Sequence, residues 1–132
     1  MEIAQALIAE IVAHARADAP NECCGLVAGR DGVATRVFPA RNEMASPVAY
    51  NVHPQDLLRI TNEIEDAGDE LAAIYHSHTR SPAEPSQTDI NLAANWPDPV
   101  YLICSTADPE APVVRGWHLR DGQVTEVSLA IT

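Results

Sequence analysis

Two histidines, a serine and two carboxylates carry the chemistry this sequence could perform. His76 and His78 stand one residue apart at the end of the apolar run Leu71–Tyr75. Side chains alternate along a strand, so both imidazoles leave on one side and Ser77 on the other. Adjacent imidazoles repel as cations, but as neutral rings they suit one shared metal ion. Asp89 is the natural third ligand, returned to the histidines by the polar, proline-containing stretch 77–85. Two histidines and one carboxylate leave a fourth zinc position open to water, as in catalytic zinc sites. A plainer reading stands beside this one. The histidines could be polar residues at a strand end, and Ser86-x-x-Asp89 ahead of Ile90 and Leu92 is a capping box. The capping box does not compete with a role for Ser86 and Asp89, because a helix start also holds a ligand rigidly.

The elements that must position these residues follow from periodicity. Ile3, Leu7, Ile8, Ile11, Val12 and Ala15 recur at helical spacing, predicting a helix over 3–18 that stops before Pro20. Apolar runs at 24–28 and 33–38 flank Gly29-Arg30-Asp31-Gly32, a hairpin signal. Another strand is expected over 48–52. A second helix opens at Pro54, with Leu57, Ile60 and Ile64 on one side, and ends at Gly68. A buried strand over 71–75, a third helix over 86–95 and a strong strand over 100–105 follow. Alternating strands over 113–119 and 124–131 meet at Asp121-Gly122. Helices interspersed with strands in this order predict an α/β fold in which helices pack on a mixed sheet.

Composition bounds the function. The chain has 132 residues, enough for one domain spanning 1–132. Eight basic against nineteen acidic residues give a net charge of -11. Nucleic acids and anionic membranes are excluded as expected partners, since both require clustered cations. The Met1-Glu2-Ile3 start lacks the basic segment and apolar run of a secretion signal, so a cytoplasmic location is expected. Cys23, Cys24 and Cys104 form neither an even disulfide framework nor a C-x-x-C pair, and read as reduced core thiols rather than nucleophiles. His14, His53 and His118 lack spaced partners, and Asp98 and Asp108 read as turn residues. Glu84, inside the inter-ligand stretch, is a candidate fourth ligand or substrate contact.

The combined pattern His76-x-His78, seven residues, Ser86-x-x-Asp89 resembles the motif of the JAMM (MPN+) zinc metalloproteases. That family also needs a glutamate on the first strand after an N-terminal helix, and Glu22 in Asn21-Glu22-Cys23-Cys24-Gly25 matches it. The resemblance spans nearly the whole chain. The Glu-Cys-Cys-Gly stretch and short length are most similar to the bacterial branch acting on ubiquitin-like sulfur-carrier proteins. The resemblance implies a three-layer α/β/α sandwich around a mixed β-sheet, of cytidine-deaminase-like kind. It implies one Zn²⁺ per chain on His76, His78 and Asp89, with Glu22 as general acid/base and Ser86 bonding the oxyanion. It implies hydrolysis after the Gly-Gly terminus of a sulfur-carrier protein, releasing an amino acid such as cysteine or processing the carrier. Two departures stand out. Thr79 replaces a proline found in many relatives, which bears on loop rigidity. No long insertion of the kind that orients polyubiquitin is present, which argues against lysine-linkage specificity. Two other readings stay open: a non-catalytic MPN-type scaffold for a ubiquitin-like partner, and a metal hydrolase of short peptides. A homo-oligomer is compatible with all three.

Overall fold

The computed structural model describes residues 1–132. Its elements are β1 (Glu2–Ile3), α1 (Gln5–Asp18), β2 (Cys24–Arg30), β3 (Val33–Ala40), α2 (Pro54–Asp66), β4 (Glu70–His78), α3 (Gln87–Ala93), β5 (Val100–Ser105), β6 (Val113–Arg120), β7 (Gln123–Val127) and β8 (Ala130–Ile131). The strands form one mixed sheet in the order β7-β6-β5-β4-β2-β3-β1-β8. β4 runs parallel to β5 and antiparallel to β2.

Alternation along the central strands divides the interior in two. Cys24, Leu26, Ile74, Tyr101 and Ile103 face α2 and α3, packing with Ile60, Ile64 and Ala93. Cys23, Val27, Tyr75, Leu102 and Cys104 face α1, packing with Ile8, Ile11 and Ala15. The result is the expected α/β/α sandwich, with helices on both faces of the sheet. The two outermost strands, β7 and β8, are separated in sequence only by Ser128 and Leu129. Such a link spans roughly 10 Å at most, so the sheet must curl until its ends nearly meet. Leu129 packs into the α1-side core at this closure.

The expected hairpins form. Asp31-Gly32 and Asp121-Gly122 all adopt positive φ, the backbone of a two-residue turn whose twist matches that of the strands it joins. Pro54 and Gly68 bracket α2 as anticipated.

Four boundaries differ from expectation. Ile3 belongs to a short strand ahead of α1, because Glu2 and Ile3 pair with β8. The segment 48–52 is not a strand. Pro47 cannot donate a ladder bond, Ala45 has φ 44°, and only Val52 forms an isolated bridge, to Asn42. The stretch 124–131 divides into β7 and β8 at the sheet closure. β4 runs through His78, past the expected boundary at Tyr75, so Ser77 and His78 belong to the strand and the loop starts later than 77.

Gly25 has a steric reason. It lies opposite Tyr75 in the β2–β4 ladder, and a Cβ there would sit 2.3 Å from the tyrosine ring. The bare glycine lets the ring lie across β2, where the Tyr75 hydroxyl meets His14 Nδ1 at 2.7 Å.

Candidate metal centre

Two strands and one helix start build the centre. The β2–β4 register pairs Cys24 with His76 and Gly25 with Tyr75. The Ser77 N–H donates to the Cys23 carbonyl just beyond β2, so the pairing extends to bring Glu22 opposite His78. Antiparallel partners project to the same side. Glu22, His76 and His78 therefore share the face covered by α2 and α3. Asp89 reaches that face from the first turn of α3. The Ser86 Oγ accepts the Asp89 N–H at 3.1 Å, and Asp89 Oδ2 accepts the Ser86 N–H at 3.0 Å. The expected capping box is thus present, and it also aims the carboxylate.

The three metal-ligand candidates converge. Asp89 Oδ2 lies 3.1 Å from His76 Nε2 and 3.0 Å from His78 Nε2, and the two nitrogens are 3.2 Å apart. Ligand atoms about 2.0–2.1 Å from a tetrahedral zinc are about 3.3 Å from one another, close to this triangle. All three side chains are buried. The donor set of two neutral imidazoles and a carboxylate also suits the ion.

Surrounding groups hold the rings in ligating form. His78 Nδ1 is 2.8 Å from the Pro82 carbonyl, which can only accept, so Nδ1 carries the proton and Nε2 presents its lone pair. His76 stacks on Tyr50 with centroids 4.2 Å apart, and its Nδ1 has no hydrogen-bond partner, so packing orients it. Burial pushes His76 down, against the pull of Asp89, and keeps it neutral. Burial acts the same way on His78, but Asp89 and the Pro82 carbonyl outweigh it there and raise it. Burial would raise the Asp89 carboxyl, but the adjacent His76 and His78 and the Ser86 N–H hold it well below the usual carboxylate range.

Glu22 is 4% exposed, and its Oε1 is buried without a partner. Burial pushes its carboxyl up to about 7, with His78 opposing and Asp89 adding to the shift. An unpartnered carboxyl with affinity for a proton near neutrality is suited to proton transfer. A cavity of about 190 Å³ opens here, lined by Glu22, His78, Arg80 and Ser86 among others. Ser86 is exposed, and since its oxygen accepts from Asp89, its proton is free to donate into the cavity.

The stretch between ligands is tied at four points. The Ser105 hydroxyl donates to the Ser81 carbonyl at 2.6 Å, and Trp117 Nε1 donates to the Ala83 carbonyl at 2.9 Å. His78 holds Pro82, and the Thr79 hydroxyl donates to the Pro20 carbonyl at 3.3 Å. Thr79 thus supplies by hydrogen bonding some of the restraint a proline would supply by its ring. Glu84 pairs with Arg115 at 3.2 Å on the exposed side, so it is spoken for by a residue outside the triangle. Burial pushes the Cys23 and Cys24 thiols up to about 12, which leaves no thiolate for attack. His14 engages Tyr75 and Asp18, and His53 caps α2.

Sequence reasoning missed Asn42. Its Nδ2 donates to the carbonyls of Glu22 and Ala49, each at 3.0 Å. Its Oδ1 accepts the N–H groups of Met44 at 3.0 Å and Asn51 at 3.1 Å. One side chain with all four hydrogen-bonding positions used therefore folds the loop after β3 and moors the backbone of Glu22. Only the proximity of asparagine to proline and alanine-rich turn sequence hinted at this, which is no specific signal.

A family model described as prokaryotic homologs of the JAB domain matches residues 4–120. The chain is 41% identical over 122 residues to the CysO-cysteine peptidase of Mycobacterium tuberculosis, covering 91% of this chain and 83% of the relative. It is 41% identical over 130 residues to a probable TtuB-protein conjugate cleaving protease of Thermus thermophilus, covering 98% and 81%. Among solved structures, that of a protein from Desulfitobacterium hafniense superposes with a TM-score of 0.90 at 34% identity, covering 100% of this chain and 93% of that one.

Proposed function

The chain belongs to the prokaryotic JAB-domain family, and from that premise we propose that residues 1–132 form a zinc-dependent peptidase acting after the C-terminal Gly-Gly of a ubiquitin-like sulfur-carrier protein. The relatives named for CysO-cysteine and for TtuB-protein conjugates support this substrate class. The observation that carries the reading is the placement of a buried, unpartnered Glu22 across the β2–β4 register from His78, beside the His76–His78–Asp89 triangle. Those three side chains would hold the zinc, which supplies a Lewis acid that activates water near neutral pH.

The chain's own groups do the rest. Glu22 takes a proton from the attacking water and returns it to the departing amine. The bond between the glycine carbonyl carbon and that amine breaks, leaving a carrier carboxylate and a free amino group. The Ser86 hydroxyl donates to the carbonyl oxygen as charge develops there, and losing one such donor costs about 10²- to 10³-fold in rate. Pro82 keeps the His78 tautomer correct throughout. Burial of the ligands excludes competing solvent.

The test uses a carrier with cysteine joined to its terminal glycine. Cysteine release that stops on chelation and returns with zinc is expected. Glu22→Gln should lose turnover while binding zinc as before. A protein that binds the carrier but never releases cysteine would instead be a scaffold.

A further inference from the structure

All eight basic residues of this chain are arginines, set against nineteen acids. Four of them pair with carboxylates: Arg30, Arg41, Arg59 and Arg115. Arg16 and Arg120 donate to carbonyls, and Arg36 lies over the Phe38 ring. Arg80 alone meets no carboxylate, carbonyl or ring. It stands two residues beyond His78 and lines the cavity that holds Glu22 and Ser86. It also lines an adjoining cavity of about 380 Å³ with Arg16, Thr79 and Thr106. Across both cavities Glu22 is the sole carboxylate lining residue, set against Arg16 and Arg80, in a chain of net charge -11. A free guanidinium there is suited to an anion that arrives with the substrate.

We propose that Arg80 forms a subsite for the free α-carboxylate of a single amino acid attached beyond the scissile bond. The proposal rests on the peptidase reading above and narrows its substrate to carriers ending in one added residue. When an amino acid is joined through its amine, its carboxylate carbon lies roughly 2.5 Å from the scissile nitrogen. The leaving residue must therefore place its charge within the wall of the same cavity, where Arg80 stands. An internal peptide bond or an isopeptide bond to a lysine side chain puts no carboxylate at that distance. Arg80 thereby favours amino-acid release over removal of the carrier from a protein.

The experiment compares two adducts of one Gly-Gly carrier, carrying either cysteine with a free carboxylate or cysteine carboxamide. Cleavage is followed as kcat/KM, and binding is followed by calorimetry on the Glu22→Gln protein. The free acid should be preferred about tenfold in both measurements, the worth of one charge-assisted bond at an open site. Arg80→Gln should bring the acid-to-amide ratio near one, and Arg80→Lys should restore part of it. Equal handling of acid and amide by the unsubstituted protein overturns the proposal, as does an acid preference that survives Arg80→Gln. If neither adduct is cleaved, the peptidase reading fails, and the binding ratio still decides the role of Arg80.

Discussion

Replacing Asn42 tests whether Glu22 is held in place by the loop after β3. The alanine variant removes four hydrogen bonds, of which those to Glu22, Ala49 and Asn51 are partly buried and that to Met44 is exposed. At about 1 kcal/mol for each partly buried bond, and little for the exposed one, the loss is about 3 kcal/mol. That corresponds to about 10 °C in Tm for a chain of this size. Asn42→Asp is the sharper probe. It keeps an acceptor for Met44 and Asn51 but turns an oxygen toward the carbonyls of Glu22 and Ala49. The remaining tether on Glu22 is its N–H, donated to Ser46 at 2.9 Å, and Ser46 belongs to the same loop. Displacing a catalytic group by about 1 Å costs on the order of 10²-fold in rate. The proposed metal ligands stand on β4 and α3, with their own hydrogen bonds to Pro82 and Ser86. Asn42→Asp should therefore cut kcat about 100-fold while zinc affinity, measured by competition with a chromogenic chelator, stays within a factor of about two. An unchanged kcat, or a zinc affinity that falls in step with activity, would refute the reasoning.

Gly25→Ala forces a methyl group to 2.3 Å from the buried Tyr75 ring, and should cost about 3 kcal/mol in urea unfolding at unchanged m-value. Arg41 holds the Asp56 carboxyl down to about 2 through three hydrogen bonds. Its stabilisation is complete above the unfolded carboxylate range near pH 4 and fades as pH falls through about 2. After discounting for the exposed guanidinium this is roughly 1–2 kcal/mol, so the stability difference between the native protein and Asp56→Asn should shrink across that window in acid titrations followed by circular dichroism. Zinc at a hundredfold excess over its Kd should stabilise the fold by about 2.7 kcal/mol, and His78→Ala should abolish the thermal shift.

Much of the site was legible because it is written in local periods. His76 and His78 share a face by strand alternation, and Ser86 and Asp89 sit three apart, as a capping box requires. Neither pattern shows that the two meet. Their convergence depends on the tied stretch 79–85, and three of its four ties join residues far apart in sequence, such as Trp117 to Ala83. Glu22 was legible only through the family motif, since a lone carboxylate before a strand carries no local signal of burial. The α/β class and most boundaries followed from apolar spacing. The two-residue strands β1 and β8 did not, because their pairing is created by the curl of the sheet rather than by their own sequence. The segment 48–52 misled for the converse reason. Its valines resemble a strand, but Asn42 already occupies the amide of Asn51 and the carbonyl of Ala49, leaving no ladder to join.

The same atoms serve the fold and the chemistry at this centre, and that overlap explains the distribution of restraint around it. Asp89 Oδ2 starts α3 by accepting the Ser86 N–H, and it also closes the triangle with both imidazoles. The Ser86 hydroxyl oxygen is consumed by the cap, yet its proton is left free to donate into the cavity that Ser86 lines. Helix formation therefore positions two of the five functional groups without further cost in side-chain entropy, since a capping box already fixes their rotamers. The β2–β4 ladder does the same for His76, His78 and the backbone at Glu22. Only the Glu22 carboxyl escapes this rule: no hydrogen bond within the chain satisfies its buried Oε1. On the proposed mechanism Glu22 exchanges a proton with water and then with an amine, and such a group cannot be committed to a structural partner. It is therefore restrained through its main chain, at Ser46 and Asn42, while its side chain stays free to work.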